Sequence, residues 1–112
     1  MTLTNAPILE SENLILRGPE KEDAEKVISF LLDENRSRGF GSSPDRSDAW
    51  RWFSTNVGHW HWHGYGYFMI ETKLGEVAGM SGIWNPEGWP EPEVGWAVFD
   101  KFEGKSIAYE AA

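Results

Sequence analysis

Cysteine is absent from the 112 residues, which excludes disulfides, thiolate metal sites and a cysteine nucleophile. Basic residues are scarce: ten Lys and Arg stand against eighteen Asp and Glu, for a net charge of −8. Surfaces that take nucleic acid or anionic membrane are built from clusters of Lys and Arg, so neither partner is expected. The acidic balance suits a cationic amine better. No apolar run approaches the length of a membrane span. The opening, Met1-Thr2-Leu3-Thr4-Asn5-Ala6-Pro7, has no basic stretch followed by an apolar one, so no signal peptide is read there. A soluble cytoplasmic protein is the expectation.

Apolar and aromatic residues, by contrast, are plentiful. Hydrophobic residues make up 40% of the chain and seven residues are Trp, enough to build a core and to set disorder aside. The length suits a single domain over residues 1–112. Leu14-Ile15-Leu16-Arg17 reads as a strand ending at Gly18-Pro19. Pro19 suits the first position of a helix, with Glu20, Glu22 and Asp23 against its N-terminal dipole. Ala24, Val27, Ile28 and Leu31 then recur at helical spacing, which predicts an amphipathic helix over 19–33. The polar stretch 35–43 breaks it.

Ser43-Pro44-Asp45 opens a second predicted helix, with Ala49, Phe53, Val57 and Trp60 on one face and Gly64 and Gly66 as its stop. Strands follow at 67–70 and 77–84, with a turn near 73–76. The tract 85–92 carries three prolines and must be a loop. In the next strand, 93–99, Val94, Trp96 and Val98 fall on one side and Gly95 and Ala97 on the other. A last helix is predicted over 107–112. The order β-α-α-β-β-β-α defines an α/β (α+β) fold with an antiparallel sheet.

Three features invite other functions. In His59-Trp60-His61-Trp62-His63 the histidines would share a face on a strand and could hold a metal. On a helix they step by about 200° and diverge; the run continues the stripe of the second helix, so no metal site is expected. Trp50, Trp60, Trp84 and Trp96 are explained as core by periodicity. That leaves Trp52, Trp62 and Trp89 for the surface, a weak basis for a sugar-stacking platform. Gly64-Tyr65-Gly66 precedes a strand rather than following one, so it is no dinucleotide fingerprint.

Several segments, taken in order, carry a resemblance. They are Leu14 to Pro19 with Glu22-Asp23-Ala24, Gly64-Tyr65-Gly66-Tyr67-Phe68, Val77-Ala78-Gly79, Gly82 to Glu93, and Val94-Gly95-Trp96 leading to Phe102-Glu103-Gly104-Lys105. Together they resemble the RimJ/RimL-like branch of the GNAT N-acetyltransferases across nearly the whole chain. The resemblance implies transfer of acetyl from acetyl-CoA, as co-substrate, to a primary amine on a small molecule or a protein N-terminus. In that family the fourth strand carries a bulge whose backbone groups bind the pantetheine arm, which places Trp96, Ala97 and Val98 on the cofactor.

The following turn in the family, Gln/Arg-x-x-Gly-x-Gly/Ala, cradles the pyrophosphate at a helix N-terminus, where orphan N–H donors and the helix dipole attract anions. Here it falls on Glu103-Gly104-Lys105-Ser106-Ile107-Ala108. Glu103 replaces Gln or Arg, and Ser106 replaces the first glycine. A carboxylate and an added Cβ near the phosphates are expected to weaken binding. For such a transfer Glu93, at the start of the fourth strand, is the candidate base that takes the amine proton, directly or through water, and Trp84, Asn85 and Trp89 are candidate walls of the acceptor pocket.

Family members continue with a fifth strand, another helix and closing strands, so a partial fold is expected here, with the fourth strand as an exposed edge. Such an edge pairs readily with other chains. The expectation is a homodimer or higher homo-oligomer. A non-catalytic, self-associating module that binds a small molecule, or has no activity, is the alternative function.

Overall fold

The computed structural model describes residues 3–99, 102, 110 and 111. Five antiparallel strands lie in the order of the chain: β1 (Leu9–Glu10), β2 (Leu14–Arg17), β3 (Tyr67–Thr72), β4 (Val77–Trp84) and β5 (Glu93–Val98). The helices α1 (Ala24–Leu32), α2 (Glu34–Ser37) and α3 (Arg46–His63) fall between β2 and β3. Mixed α/β architecture with an antiparallel sheet is therefore what the hydrophobic patterning specifies. The predicted helix at 107–112 lies mostly outside the described residues; Glu110 and Ala111 are helical, and the Glu110 carboxylate accepts from the Asn13 backbone and side chain at 2.8 and 3.0 Å.

The start of α1 differs from the proline-first expectation. Glu20 caps a short 3-10 turn over Lys21–Asp23, and α1 begins only at Ala24. Asp23 makes the difference. Its carboxylate accepts from the Glu20 backbone N–H at 2.8 Å and from both terminal nitrogens of Arg17 at 2.8 and 3.0 Å. Arg17 also donates to Glu71 of β3 at 2.8 Å. One guanidinium thus ties β2, β3 and the entry of α1 together, the bidentate geometry that suits Arg rather than Lys.

Helix α3 follows its sequence signals closely. The Asp45 side chain accepts from the Asp48 N–H at 2.9 Å as N-cap. Gly64 ends the helix in the left-handed region at φ 81°, donating to the Trp60 carbonyl at 2.8 Å, the conformation that glycine adopts without a Cβ penalty. Its buried face holds Ala49, Phe53 and Trp60 but also Asn56 and His59. Trp50 is 56% exposed, while Trp52 packs on the core. The two indoles exchange the places that periodicity assigns them, because the true stripe includes two polar residues.

On the sheet, β4 and β5 pair in unbroken register from Trp84↔Glu93 to Gly79↔Val98. The expected bulge in this strand is therefore not present at 96–98; among the described strands a register shift lies between β3 and β4, where Ile70 pairs with Gly79 and Glu71 with Val77, leaving Ala78 of β4 as the extra residue. Gly95 and Ala97 share the face turned to the helices, the reverse of what a core Trp96 requires. Trp96 is 54% exposed on the opposite face, which corrects its assignment to the core: among the described residues no helix covers that face of the edge strand. No helix among the described residues is long and apolar enough to cross a membrane.

Candidate active site

Tyr67 opens β3, and α3 fixes its backbone. Asn56, fully buried, accepts from the Tyr67 N–H at 2.9 Å and donates to its carbonyl at 3.1 Å. The Trp60 indole donates to the same carbonyl at 3.0 Å. Across the sheet Tyr67 stands opposite Gly82, and Gly82 opposite Gly95. Two glycines in one row clear a path for the phenol, whose hydroxyl reaches β5: a Cβ on Gly95 would lie 2.1 Å from it. Phe40, Trp52 and Trp84 hold the ring, with centroids 5.3, 5.6 and 5.3 Å away. Burial, with a smaller contribution from the Glu93 carboxylate, pushes the Tyr67 hydroxyl up to about 12.

Tyr67 and β5 form one wall of a cleft of about 540 Å³, closed opposite by Phe30, Arg36 and Phe40. Four of the expected site residues, Glu93, Trp96, Ala97 and Val98, line it together. The Phe99 N–H donates to the Ala78 carbonyl at 2.8 Å. In an antiparallel ladder the residues alternate, so Ala97, Gly95 and Glu93 likewise turn their backbone groups to β4. The N–H and C=O groups of Val94, Trp96 and Val98 point outward, where no described strand pairs with them. The edge therefore offers alternating donors and acceptors without needing a bulge, a match for an extended chain of amides.

A second cleft, of about 600 Å³, lies between the C-terminal half of α3 and the loop after β4. Asn85 and Trp89 line it, together with His59, Trp62 and Glu87. Trp84 does not line either cleft. It is buried between the two, its ring stacked on Trp52 at 5.2 Å and on His59 at 4.6 Å. Asn85 and Trp89, two of the residues expected at an acceptor pocket, thus share this cleft, and Trp84 stands behind them.

His59 supplies a constraint that the sequence does not reveal. Its Nε2 accepts from the Asn85 backbone N–H at 2.9 Å, so its Nδ1 carries the hydrogen and donates to the Tyr65 carbonyl at 2.7 Å. Both nitrogens are engaged by the neutral ring. Burial lowers the His59 pKa, opposed by the bond to Tyr65. His61 turns away to the Leu3 carbonyl at 2.8 Å, and no group of three or more metal-ligating side chains occurs among the described residues. His61 diverges from the other two as helical spacing requires, while His59 and His63, four residues apart, lie with ring centroids 4.5 Å from each other. Glu103, Gly104, Lys105, Ser106, Ile107 and Ala108 lie outside the described residues.

Known proteins share this fold. The chain belongs to the GNAT acetyltransferase domain family, whose profile matches residues 13–112. It is similar to the crystal structure of an acetyltransferase from Agrobacterium tumefaciens str. C58, with 34% identity and a TM-score of 0.88, over 95% of this chain and 62% of that one. The same fold recurs in the RimL ribosomal L7/L12 alpha-N-protein acetyltransferase, at 15% identity and TM-score 0.68, over 90% of this chain and 57% of that one. It recurs too in the microcin C7 self-immunity acetyltransferase MccE in complex with acetyl-CoA and AMP, at 19% identity and TM-score 0.67, covering 98% and 64%. The chain therefore spans roughly three fifths of their length. No curated protein sequence matches it significantly.

Proposed function

We propose that this chain forms the cofactor-binding side of an N-acetyltransferase that moves acetyl from acetyl-CoA to a primary amine. The observation that carries the reading is the outer edge of β5, which no described strand pairs, inside a cleft that also holds Glu93. Val94, Trp96 and Val98 present amide donors and acceptors to the pantetheine arm, and residues 103–108 follow directly for the pyrophosphate. The departures at Glu103 and Ser106 weaken that grip without removing backbone donors.

Glu93 is exposed at the start of β5 and takes the proton that the amine loses as it attacks, directly or through one water. Asn85 and Trp89 line the acceptor side. The L7/L12 enzyme named above acts on a protein α-amino group, and the reading extends equally to a small-molecule amine. Mixing the protein with acetyl-CoA and a panel of primary amines should release free thiol, with Glu93→Gln slower by about 100-fold. Absence of thiol release across the panel, with folded protein, would count against the reading.

A second reading rests on a different observation. Val94 and Trp96 are 63% and 54% exposed on the uncovered face of the edge strand, an arrangement that favours pairing of β5 with a second copy. A non-catalytic, self-associating module would show oligomers in sedimentation and no heat on titration with acetyl-CoA.

A further inference from the structure

We propose that the Tyr67 hydroxyl is a hydrogen-bond donor to the thioester carbonyl of acetyl-CoA, a catalytic group supplied by β3. The inference rests on the acetyl-transfer reading above. Tyr67 is 4% exposed, yet among the described residues its hydroxyl has no hydrogen-bond partner. No fully buried side-chain polar atom among the described residues is left unpaired, so the hydroxyl keeps contact with solvent. That contact is at the first cleft, which Tyr67 lines, so a bound molecule can replace water as its acceptor.

Its position selects which acceptor. The hydroxyl rests on Gly95, midway along β5 between Glu93 and the Trp96–Val98 segment. At about 3.4 Å per residue, the proposed base lies about 7 Å to one side and the pantetheine segment begins within a residue on the other. The reacting carbonyl has to lie between base and pantetheine arm, which is where the hydroxyl is held. Asn56 and Trp60 fix the backbone and three rings fix the side chain, so the donor needs no reorganisation when charge develops.

Acid strength decides the role. A phenol raised to about 12 would give its proton to a thiolate, whose thiol has a pKa near 8.5, only uphill. Tyr67 therefore stays protonated throughout. The amine nitrogen bonds to the carbonyl carbon, Tyr67 stabilises the negative charge that builds on the carbonyl oxygen, and the C–S bond then breaks with its electron pair on sulfur. The amine's proton goes to Glu93, and solvent protonates the thiolate.

Isothermal titration of the full chain with acetyl-CoA and with CoA, for the unmutated protein and Tyr67→Phe, tests this. CoA lacks the carbonyl. The unmutated protein should bind acetyl-CoA about 3- to 10-fold more tightly than CoA. Tyr67→Phe should bind the two alike, with its CoA affinity unchanged and its melting temperature not lowered, because no internal hydrogen bond is lost. An acetyl-CoA preference that survives in Tyr67→Phe, or is absent from the unmutated protein, overturns the role of Tyr67 and leaves the cofactor site standing. Failure of the unmutated protein to bind either ligand sinks the acetyl-CoA reading and this inference with it.

Discussion

The imidazole of His59 lies flat on the indole of Trp84, centroids 4.6 Å apart and planes 11° from parallel. The stack joins α3 to the end of β4, and the Asn85 N–H bond to Nε2 extends it into the loop that walls the second cleft. Trp84 continues the column to Tyr67 at the first cleft. One aromatic contact therefore sits between the two proposed halves of the site.

Protonation of His59 would place a hydrogen on Nε2, against the Asn85 N–H. The unfolded ring titrates near 6.5 and the folded ring below it, so between those values the unfolded chain binds more protons. The contribution of His59 to stability is complete above about 6.5 and is lost as pH falls through the folded value. His63, whose ring centroid is 4.5 Å away, adds to the penalty on the charged form. Melting curves from about pH 7.5 to about pH 5.5 should show a steeper fall for the native sequence than for His59→Phe. The Phe variant should be less stable by about 1–3 kcal/mol at the upper end, with two part-buried backbone groups left unpaired. Parallel pH profiles for both proteins would refute the assignment.

Arg17 is the second structural hinge. Asp23, 2% exposed, receives two of its nitrogens, and Glu71 a third. Arg17→Ala leaves a buried carboxylate without its cation, at a cost of about 3–5 kcal/mol. Arg17→Lys should recover only part, because one ammonium cannot match the fork. Urea unfolding of the three proteins checks the order. Equal stability of the Lys variant and the native protein would show that charge alone suffices.

The packing of Tyr67 on Gly95 is open to a double-mutant cycle. Gly95→Ala puts a methyl 2.1 Å from the hydroxyl, against a ring that three neighbours hold. It should destabilise by about 1–3 kcal/mol. In Tyr67→Phe the nearest atom becomes the ring carbon at 3.2 Å, so the same substitution should cost at least about 1 kcal/mol less. Additive costs would mean that the hydroxyl does not lie where the fold places it.

Much of this fold is legible in the amino-acid sequence. The Ala49–Phe53–Trp60 stripe, the Asp45 cap and the Gly64 stop set α3 within a residue or two, since each acts locally. The strands at 14–17, 67–72, 77–84 and 93–98 show in their apolar runs and bounding turns. β1 has two residues and α2 four, too short for any periodicity. Periodicity misplaces Trp50 and Trp52 because Asn56 and His59 share the buried stripe, and hydrophobic pattern is blind to buried polar residues. It misplaces Trp96 because nothing local says which face of a strand the helices cover. Of the site, Glu93 and residues 96–98 emerge through family resemblance. Tyr67 and His59 do not, because their roles come from contacts between elements distant in the chain. A glycine inside the β5 pattern is the available hint that another group approaches there.

The central claim is that the outer edge of β5 receives acetyl-CoA, and backbone amide NMR tests it most directly. On adding acetyl-CoA, the outward N–H groups of Val94, Trp96 and Val98 should shift and become protected from exchange, while Gly95 and Ala97, bonded to β4, change less. Shifts confined to Asn85–Trp89, or none along β5 at saturating ligand, would contradict the account.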